Sequence, residues 1–253
     1  MNNIILEQKD IYNGTLILVN NEYALNDQYF IGKLIPLNIN RKEVLLEYKS
    51  AIILNHLLME VDALEKIVTV SGFRNKLEQM EIYNNSIIEN GQEFTERYVA
   101  KAGHSEHHTG LSIDLGKNSK DINSLCPEFP YVGICEDFRK LSFKYGFIQR
   151  YKSGKEDITG IAEEPWHFRY VGFPHSQIME EKELSLEEYI ENIRGYNQDN
   201  PLIFESDRKR TKIFFIKAID DKDLVLKFKG RETYQISGNN IDGFIVTLSD
   251  NYE

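Results

Sequence analysis

The sequence is poor in the features that mark secreted, membrane-spanning or nucleic-acid-binding chains. Its 253 residues include only two cysteines, Cys126 and Cys135, too few for a disulfide framework and at a spacing that matches no zinc site. No stretch approaches the ~18 consecutive apolar residues of a membrane span, and the first residues lack a signal-peptide pattern. The net charge of -10 argues against nucleic-acid or anionic-membrane partners. We therefore expect a cytoplasmic protein with free thiols, no nucleic-acid partner and no membrane partner.

Regular apolar spacing is abundant and predicts both helices and strands. Steps of three and four between apolar residues predict a helix over residues 43–64 and another from Ile134 to Tyr145, which Gly146 ends. Residues 75–87 and the segment from Leu186 to about residue 197 are also predicted to be helical. The segments IVTVSGFR (67–74) and WHFRYVG (166–172) are rich in β-branched or aromatic residues and predict strands.

The segment SEHHTGLSIDLG, residues 105–116, holds the first candidate metal ligands. Apolar residues at every second position from Leu111 predict a strand whose open face carries Asp114. Gly110 lets the chain bend before that strand, so that a loop could bring His107 over the same face. A carboxylate on an open strand face is just as often only solvated. A metal site therefore needs a third ligand from elsewhere in the chain.

The segment EEPWHFR, residues 163–169, offers that third ligand. In a strand beginning at Trp166, the side chains of His167 and Arg169 share one face. Two imidazoles and one carboxylate leave a fourth position open on zinc, as in catalytic sites. Glu164 precedes Pro165, which favours an extended or turn conformation, and could take a proton from water near the metal. The remaining histidines are predicted to lie outside the site: His56, His104, His108 and His175.

Together the two segments resemble the zinc D-alanyl-D-alanine carboxypeptidase and dipeptidase family. The shared motifs are Ser105-x-His107-x-x-Gly110-x-x-x-Asp114 and Glu164-Pro165-Trp166-His167-x-Arg169. Residues 71–84, SGFRNKLEQMEIYN, are similar to the family's Ser-Gly-Tyr-Arg segment with its downstream Gln and Tyr. The resemblance covers about residues 15–180 and is greatest to the bifunctional D,D-dipeptidase/D,D-carboxypeptidase branch of glycopeptide-resistance clusters. Phe73 replaces the usual Tyr and Ser112 a common Ala, and neither is expected to touch the metal.

The resemblance implies a small α+β fold, with helices packed on a mostly antiparallel sheet whose open face carries one zinc ion per chain. The site residues that it implies are the zinc ligands His107, Asp114 and His167, the general base Glu164, the cationic residue Arg74 facing the substrate, and the substrate-pocket residues Ser105, Gln79 and Ser71. The implied substrates are the dipeptide D-Ala-D-Ala and the D-Ala-ended muropeptide precursors of peptidoglycan. Their hydrolysis would support glycopeptide resistance.

Two other functions are compatible with such a scaffold. A non-catalytic zinc-containing module could bind wall peptides, but modules of that kind lose the base or a ligand, and this sequence has Glu164 and all three ligands. An endopeptidase cutting between L-Ala and D-Glu would suit a chain with a wall-binding repeat or an export signal. Neither feature is visible in the sequence.

Beyond Asn200 the pattern changes to short strand-like runs. Four of them, TKIFFIKAI, DLVLKF, ETYQI and GFIVTL, are separated by the turn signals Asp220-Asp221, Lys229-Gly230, Gly238-Asn239-Asn240 and Asp242-Gly243. We predict a domain boundary here, with residues 1–199 as the catalytic domain and residues 200–253 as a small β extension. The tail resembles one found in a longer branch of the family.

Overall fold

A computed structural model describes residues 2–38, 41–206, 209–220, 222–228 and 232–251 of the chain. Within these ranges no helix combines the length and the apolar character needed to cross a bilayer. The predicted turn at Lys229 and Gly230, and Asp221 of the turn before it, lie outside the described residues.

The chain mixes helices and strands along its whole length. The strands are β1 (Asn2–Leu6), β2 (Leu34–Asn38), β3 (Arg41–Glu47), β4 (Ile67–Ser71), β5 (Ser112–Lys117), β6 (Phe147–Tyr151), β7 (Glu164–Tyr170), β8 (Leu202–Ser206), β9 (Lys209–Lys217), β10 (Leu224–Phe228), β11 (Thr233–Gly238) and β12 (Gly243–Asn251). The helices are α1 (Tyr48–Glu60), α2 (Lys76–Asn90), α3 (Gln92–Tyr98), α4 (Gly133–Ser142), α5 (Glu156–Thr159), α6 (His175–Glu181) and α7 (Leu186–Ile193). Short 3₁₀ turns cover Gln8–Tyr12, Glu106–Thr109 and Phe143–Tyr145.

The larger of two compact units, formed by Val19–Leu25 and Phe30–Ser185, contains the separate pair β2-β3 and a four-stranded antiparallel sheet with the order β4-β5-β7-β6. One face of this sheet packs on α1 and α4: Ile113 and Phe168 are buried together with Leu54 and Phe138. The predicted alternation from Leu111 is confirmed, because that residue and its alternate partners lie in the same core. The expected α+β class, with helices on one face of an antiparallel sheet, is also confirmed.

The predicted helix over residues 43–64 is wrong in its first part. Arg41–Glu47 forms β3, which pairs antiparallel with β2, and the helix begins only at Tyr48. The carboxylate of Glu47 marks this start, since it accepts hydrogen bonds from the backbone N–H groups of Lys49 (3.1 Å) and Ser50 (3.0 Å). Apolar residues around Val44 fit a strand as well as a helix, so only the pairing with β2 decides between the two.

The other predicted helices of the larger unit are confirmed. Helix α2 begins with a reciprocal capping box between Asn75 and Glu78. Helix α4 continues into a 3₁₀ turn that ends at Gly146, where φ is +85°. The predicted strands at residues 67–74 and 166–172 correspond to β4 and β7, each with slightly different ends.

The smaller unit combines Met1–Leu18, Asn26–Tyr29 and Leu186–Glu253. It contains a sheet of order β11-β12-β9-β8 and the separate antiparallel pair β1-β10. All four strand-like runs of the tail are strands, whereas β1 and β8 were not predicted. The smaller unit thus includes β1 and α7, whereas the predicted extension begins only at residue 200. β1 pairs with β10, and a pairing between strands so far apart in the sequence leaves no local sequence pattern from which β1 could be predicted. The functional division into catalytic domain and extension stays a prediction.

Candidate active site

The centre of the site is Asp114 on β5, an inner strand of the larger unit's sheet. Its cross-strand neighbours are Ser71 on β4 and His167 on β7. Residues directly opposite each other in a sheet project their side chains to the same face. The imidazole Nδ1 of His167 accordingly lies 2.8 Å from Oδ1 of Asp114. Strand register thus joins two candidate ligands that are far apart in sequence.

His107 reaches the same carboxylate from a 3₁₀ turn that precedes β5. The Oγ atom of Ser105 accepts a long hydrogen bond, 3.4 Å, from the His107 backbone N–H. The turn ends at Gly110, which has φ +70°, and a Cβ at this position would come within 2.8 Å of a Leu34 methyl carbon. The turn places Nε2 of His107 3.1 Å from Oδ2 of Asp114. The bend predicted at Gly110 is therefore present.

A backbone carbonyl determines which nitrogen of His107 faces the site. Its Nδ1 lies 2.6 Å from the carbonyl oxygen of Gly72, which can only accept, so Nδ1 carries the proton and donates it. Gly72 is required here because a Cβ would come within 2.2 Å of the Leu45 carbonyl oxygen. Burial and the nearby Arg74 lower the pKa of His107 to about 4. At neutral pH its Nε2 therefore presents a lone pair to the Asp114 carboxylate.

The donor atoms of His107, Asp114 and His167 suit a single metal ion. One ligand atom from each residue lies within 4.8 Å of the others, and all three residues are buried. A lone pair facing a carboxylate oxygen is an unfavourable arrangement that a cation between the two would relieve. Two imidazole nitrogens and one carboxylate oxygen, with room for a fourth ligand, are typical of catalytic zinc. The three residues named from the sequence are thus brought together.

The charges within the site are strongly coupled. Burial alone would raise the pKa of Asp114, but His107 and His167, both protonated in the acid range where this carboxyl group titrates, outweigh it and hold that pKa well below its usual range. Burial alone would lower the pKa of His167, but the carboxylates of Asp114 and Glu106 outweigh it and raise that pKa to about 9. In the metal-free chain His167 is therefore an imidazolium, and a metal ion would have to replace its Nδ1 proton.

Glu164, the first residue of β7, lies beside the three candidate ligands. Its Oε2 atom is 3.8 Å from Nδ1 of His167, and its side chain is buried. Burial raises its pKa to about 8, and the nearby Asp114 carboxylate acts in the same direction. A carboxyl group whose pKa lies close to neutrality can both accept and return a proton during a reaction.

Arg74 and Gln79 offer polar atoms to the cavity around these residues. Nη2 of Arg74 lies 3.6 Å from Oδ2 of Asp114. Nε2 of Gln79 donates to the carbonyl oxygen of Ala100 at 2.7 Å. Within the described residues, Nε of Arg74 and Oε1 of Gln79 are buried without a hydrogen-bond partner. Buried polar atoms of this kind are normally satisfied, so these two atoms are available to a molecule bound in the cavity.

The cavity has a mixed polar and apolar lining. Besides the residues already named, it is lined by Ser105, Glu106, Ser124, Tyr98, Val99, Ala100, Leu125, Tyr151, Ile161 and Trp166. Ser71, also predicted from the sequence as a pocket residue, sits opposite Asp114 on β4 and is not among the described lining residues. Val99, Ala100, Leu125 and Ile161 were not predicted as lining residues because they come from separate loops whose proximity depends on the fold.

A buried ion cluster lies beside His167 and was not predicted from the sequence. Oε1 of Glu106 lies 2.9 Å from Nε of Arg150 and 2.8 Å from Nη1 of Arg169. These cations outweigh the effect of burial and hold the pKa of Glu106 well below its usual range. Two signals were available, since Glu106 adjoins His107 and Arg169 shares a strand face with His167. Neither signal showed that the side chains meet.

His108 lies outside the ligand cluster, as predicted, but connects two segments next to it. Its Nδ1 lies 2.7 Å from the Arg74 carbonyl oxygen, so this nitrogen donates. Its Nε2 accepts a hydrogen bond of 3.0 Å from the backbone N–H of Gly103. The imidazole thereby ties the backbone of Arg74 to the segment that leads into Ser105.

An antiparallel sheet that carries an aspartate and a histidine on its open face, with a second histidine from the preceding turn and a buried glutamate beside them, has the composition of a mononuclear metallohydrolase site. The family described as VanY, D-alanyl-D-alanine carboxypeptidase, matches residues 53–173, a range that contains all of these residues. Together with the relatives described below, this match shows that the chain belongs to the D-alanyl-D-alanine carboxypeptidase family.

Individual relatives agree with this assignment. The chain is 38% identical over 177 residues to the bifunctional D-Ala-D-Ala dipeptidase and D-Ala-D-Ala carboxypeptidase VanXYC of Enterococcus gallinarum, covering 70% of this chain and 93% of the relative. It is 30% identical over 258 residues to a D-alanyl-D-alanine carboxypeptidase of Enterococcus faecium, covering 96% of this chain and 78% of the relative.

Two solved structures match the chain to different extents. The vancomycin resistance D,D-dipeptidase VanXYg, in complex with a D-Ala-D-Ala phosphinate analogue, matches with a TM-score of 0.95 and 48% identity over 98% of both chains. VanYB in complex with D-alanine-D-alanine matches with a TM-score of 0.58 and 28% identity, over 70% of this chain and 97% of that one. The match to VanXYg thus extends beyond the part of the chain that VanYB matches.

Proposed function

We propose that this protein is a zinc metallopeptidase that hydrolyses D-Ala-D-Ala and removes the C-terminal D-Ala from peptidoglycan precursor pentapeptides. The observation that carries the proposal is the convergence of His107, Asp114 and His167 beside a buried Glu164 whose pKa is raised to about 8. The activities named for VanXYC and VanXYg support the choice of substrates. Such hydrolysis would remove the D-Ala ends to which glycopeptide antibiotics bind, and so support resistance.

One zinc ion per chain would be held by Nε2 of His107, the carboxylate of Asp114 and Nδ1 of His167. Bound zinc acts as a Lewis acid, which polarises a carbonyl group and lowers the pKa of water to about 7. The donor set supports zinc because imidazole and carboxylate groups are its usual ligands in sites that keep an open position.

Glu164 would act as the general base and then as the general acid. Its carboxylate would take a proton from the water that attacks the scissile carbonyl carbon. The resulting carboxyl group would pass this proton to the leaving amine of D-Ala. Burial, which makes the carboxylate a stronger base than an exposed one, supports this role.

Arg74 would stabilise negative charge, either on the carbonyl oxygen in the transition state or on the substrate carboxylate. Its guanidinium lines the cavity and lies 3.6 Å from Asp114. Ser105 and Gln79 would bind the substrate through hydrogen bonds, and the buried Oε1 of Gln79 would accept one from a substrate N–H group. Ser71 would contribute to substrate binding from β4, opposite Asp114 on β5.

The apolar part of the cavity suits a small side chain. Val99, Leu125, Ile161 and Trp166 line the same cavity as the candidate ligands and would pack against the methyl groups of D-Ala. The endopeptidase and the non-catalytic binding module are the alternatives. The presence of Glu164 beside all three candidate zinc ligands favours catalysis over binding alone. The relatives named above favour the D,D-peptidase over the endopeptidase.

We further propose that the enzyme acts in the cytoplasm, because free D-Ala-D-Ala and soluble nucleotide-linked pentapeptides are made there. Fractionation of cells that express the full-length gene product tests this location. Recovery of the protein outside the membrane would contradict it.

The decisive experiment measures D-Ala release from D-Ala-D-Ala and, separately, from the nucleotide-linked pentapeptide. The zinc-loaded protein should hydrolyse both, whereas the Glu164→Gln variant, loaded equally, should hydrolyse neither at a comparable rate. Cleavage only between L-Ala and D-Glu would identify the endopeptidase. Tight binding of the pentapeptide without turnover would identify the binding module.

A further inference from the structure

A buried ion cluster lies directly behind one candidate zinc ligand. Glu106, Arg150 and Arg169 are almost completely excluded from solvent. Both arginines approach Oε1 of Glu106, at 2.9 and 2.8 Å. The other oxygen, Oε2, accepts a long hydrogen bond of 3.4 Å from Ser112 and lies 3.6 Å from Nε2 of His167. One carboxylate oxygen thus contacts the arginines while the other faces the imidazole.

Stability alone is a weak explanation for this cluster. Removing charged groups from water has a large free-energy penalty, and packed apolar residues of similar volume often stabilise a core equally well. A carboxylate that faces the far nitrogen of a metal-binding imidazole is, by contrast, a frequent feature of metal sites. It orients the ring, and its loss typically weakens metal binding by roughly 10–100-fold.

The His167 ring lies between two carboxylates on opposite sides. Nδ1 faces Oδ1 of Asp114 at 2.8 Å, and Nε2 faces Glu106. The aromatic ring of Tyr151 lies 5.0 Å from the imidazole at an interplanar angle of 32°. A metal ion on Nδ1 needs the lone pair of that nitrogen, so the remaining ring proton has to be on Nε2. Among the described residues Nε2 has no hydrogen-bond partner, and the Glu106 carboxylate oxygen that faces it lies 3.6 Å away.

We propose that Glu106 is a positioning residue, which holds His167 with its Nε2–H towards the core and its Nδ1 towards the metal. Arg150 and Arg169 balance the charge of this carboxylate within the core. The inference rests on the proposed function only in requiring that zinc binds His167. It assigns no contact between Glu106 and the substrate.

The direct test observes His167 in the unaltered protein. Long-range ¹H–¹⁵N spectra of the zinc-loaded protein, with ¹⁵N-labelled histidine, report which ring nitrogen carries the proton, and sequential resonance assignment in the unaltered protein identifies the His167 signals. We expect a protonated Nε2 and a metal-bound Nδ1. A proton on Nδ1, or metal bound through Nε2, would overturn the inference.

The second test measures the zinc dissociation constant by competition with a chelator. Glu106→Gln should weaken zinc binding by roughly 10–100-fold, and Glu106→Asp, which keeps the charge but withdraws the carboxylate, should also weaken it. Arg150→Met is the matched control, since it disturbs the same buried cluster but retains the Glu106 carboxylate. It should lower the thermal unfolding midpoint with a smaller change in zinc affinity.

These outcomes separate the inference from the proposed function. Equal zinc affinity in folded Glu106→Gln, Glu106→Asp and unaltered protein would refute the positioning role alone. The proposed function alone would be refuted by a different result. In that case His167 would show a protonated Nε2 and the Glu106 variants would bind zinc more weakly, but the unaltered protein would have no D,D-peptidase activity. If Glu106→Gln does not fold, the zinc affinity of Glu106→Asp and the spectrum of the unaltered protein still decide whether Glu106 is a positioning residue.

Discussion

The Nε2 atom of His107 and the Oδ2 atom of Asp114 lie 3.1 Å apart without a proton available between them at neutral pH. The Gly72 carbonyl takes the His107 Nδ1–H, the pKa of His107 is lowered to about 4, and the pKa of Asp114 lies well below its usual range. Two facing electron-pair donors are a favourable arrangement only around a cation.

Replacement of either imidazole ligand should therefore abolish zinc binding. His107→Ala and His167→Ala each remove one of three donors, and metal analysis of the purified variants should find zinc largely lost. His56→Ala is the matched control, because His56 is exposed on α1, away from the site. Full zinc occupancy together with normal activity in both ligand variants would refute the metal assignment.

Glu164→Gln should retain zinc but lose turnover. The amide preserves the shape of the side chain but cannot take a proton from water, so kcat should fall on the order of 10²–10⁴-fold. Glu163→Gln provides the control, since the neighbouring carboxylate interacts with Tyr131 and is not a lining residue of the cavity. If Glu164→Gln turned over at nearly the normal rate, Glu164 would have no part in proton transfer.

Loss of Arg74 should reduce catalytic efficiency without loss of zinc. Removing an electrostatic stabiliser typically costs ~3 kcal/mol in transition-state energy, so kcat/KM of Arg74→Ala should fall by about two orders of magnitude. Arg74→Lys should recover part of it through its charge. Arg210→Ala, an exposed arginine on β9, is the control. An Arg74→Ala enzyme within a few-fold of the unaltered one would make this arginine structural.

Stability of the metal-free protein should depend on pH through Glu164. Its pKa is about 8 in the folded chain, against an ordinary value of 4.5. Between these two values the unfolded chain has released this proton while the folded chain retains it, so stability falls as pH rises. Glu164→Gln removes this effect. In the presence of a chelator, its unfolding midpoint should equal that of the unaltered protein near pH 4 and exceed it near pH 8; equal midpoints at both values would contradict the raised pKa.

Substrates that end in D-Ser should be cleaved poorly compared with D-Ala-D-Ala. An enzyme that destroyed such replacement ends would not support resistance, and the apolar cavity is suited to a methyl group. An added hydroxyl is nevertheless hard for an apolar pocket to reject by more than ~10². Measuring kcat/KM for D-Ala-D-Ala and D-Ala-D-Ser tests this specificity, and similar values would contradict it.

Local sequence pattern was sufficient for the candidate ligands and for much of the secondary structure. The spacing around Gly110, the alternation from Leu111 and the segment around His167 identified the polar face of two strands before their pairing was known. The chemistry of these side chains supported His107, Asp114 and His167 as candidate ligands, because two histidines and one aspartate form a common ligand set for zinc. The class of fold and the family followed from the same short segments.

Tertiary structure alone decided where distant segments meet. Register between β5 and β7 sets Asp114 opposite His167, and pairing with β2 makes residues 41–47 a strand instead of the start of a helix. The contact between Glu106 and Arg150 joins residues 44 positions apart. Local periodicity reports only which face of an element is apolar. Which faces and ends come together depends on long-range pairing and burial, and the free energy of those contacts is shared by residues that no short segment contains.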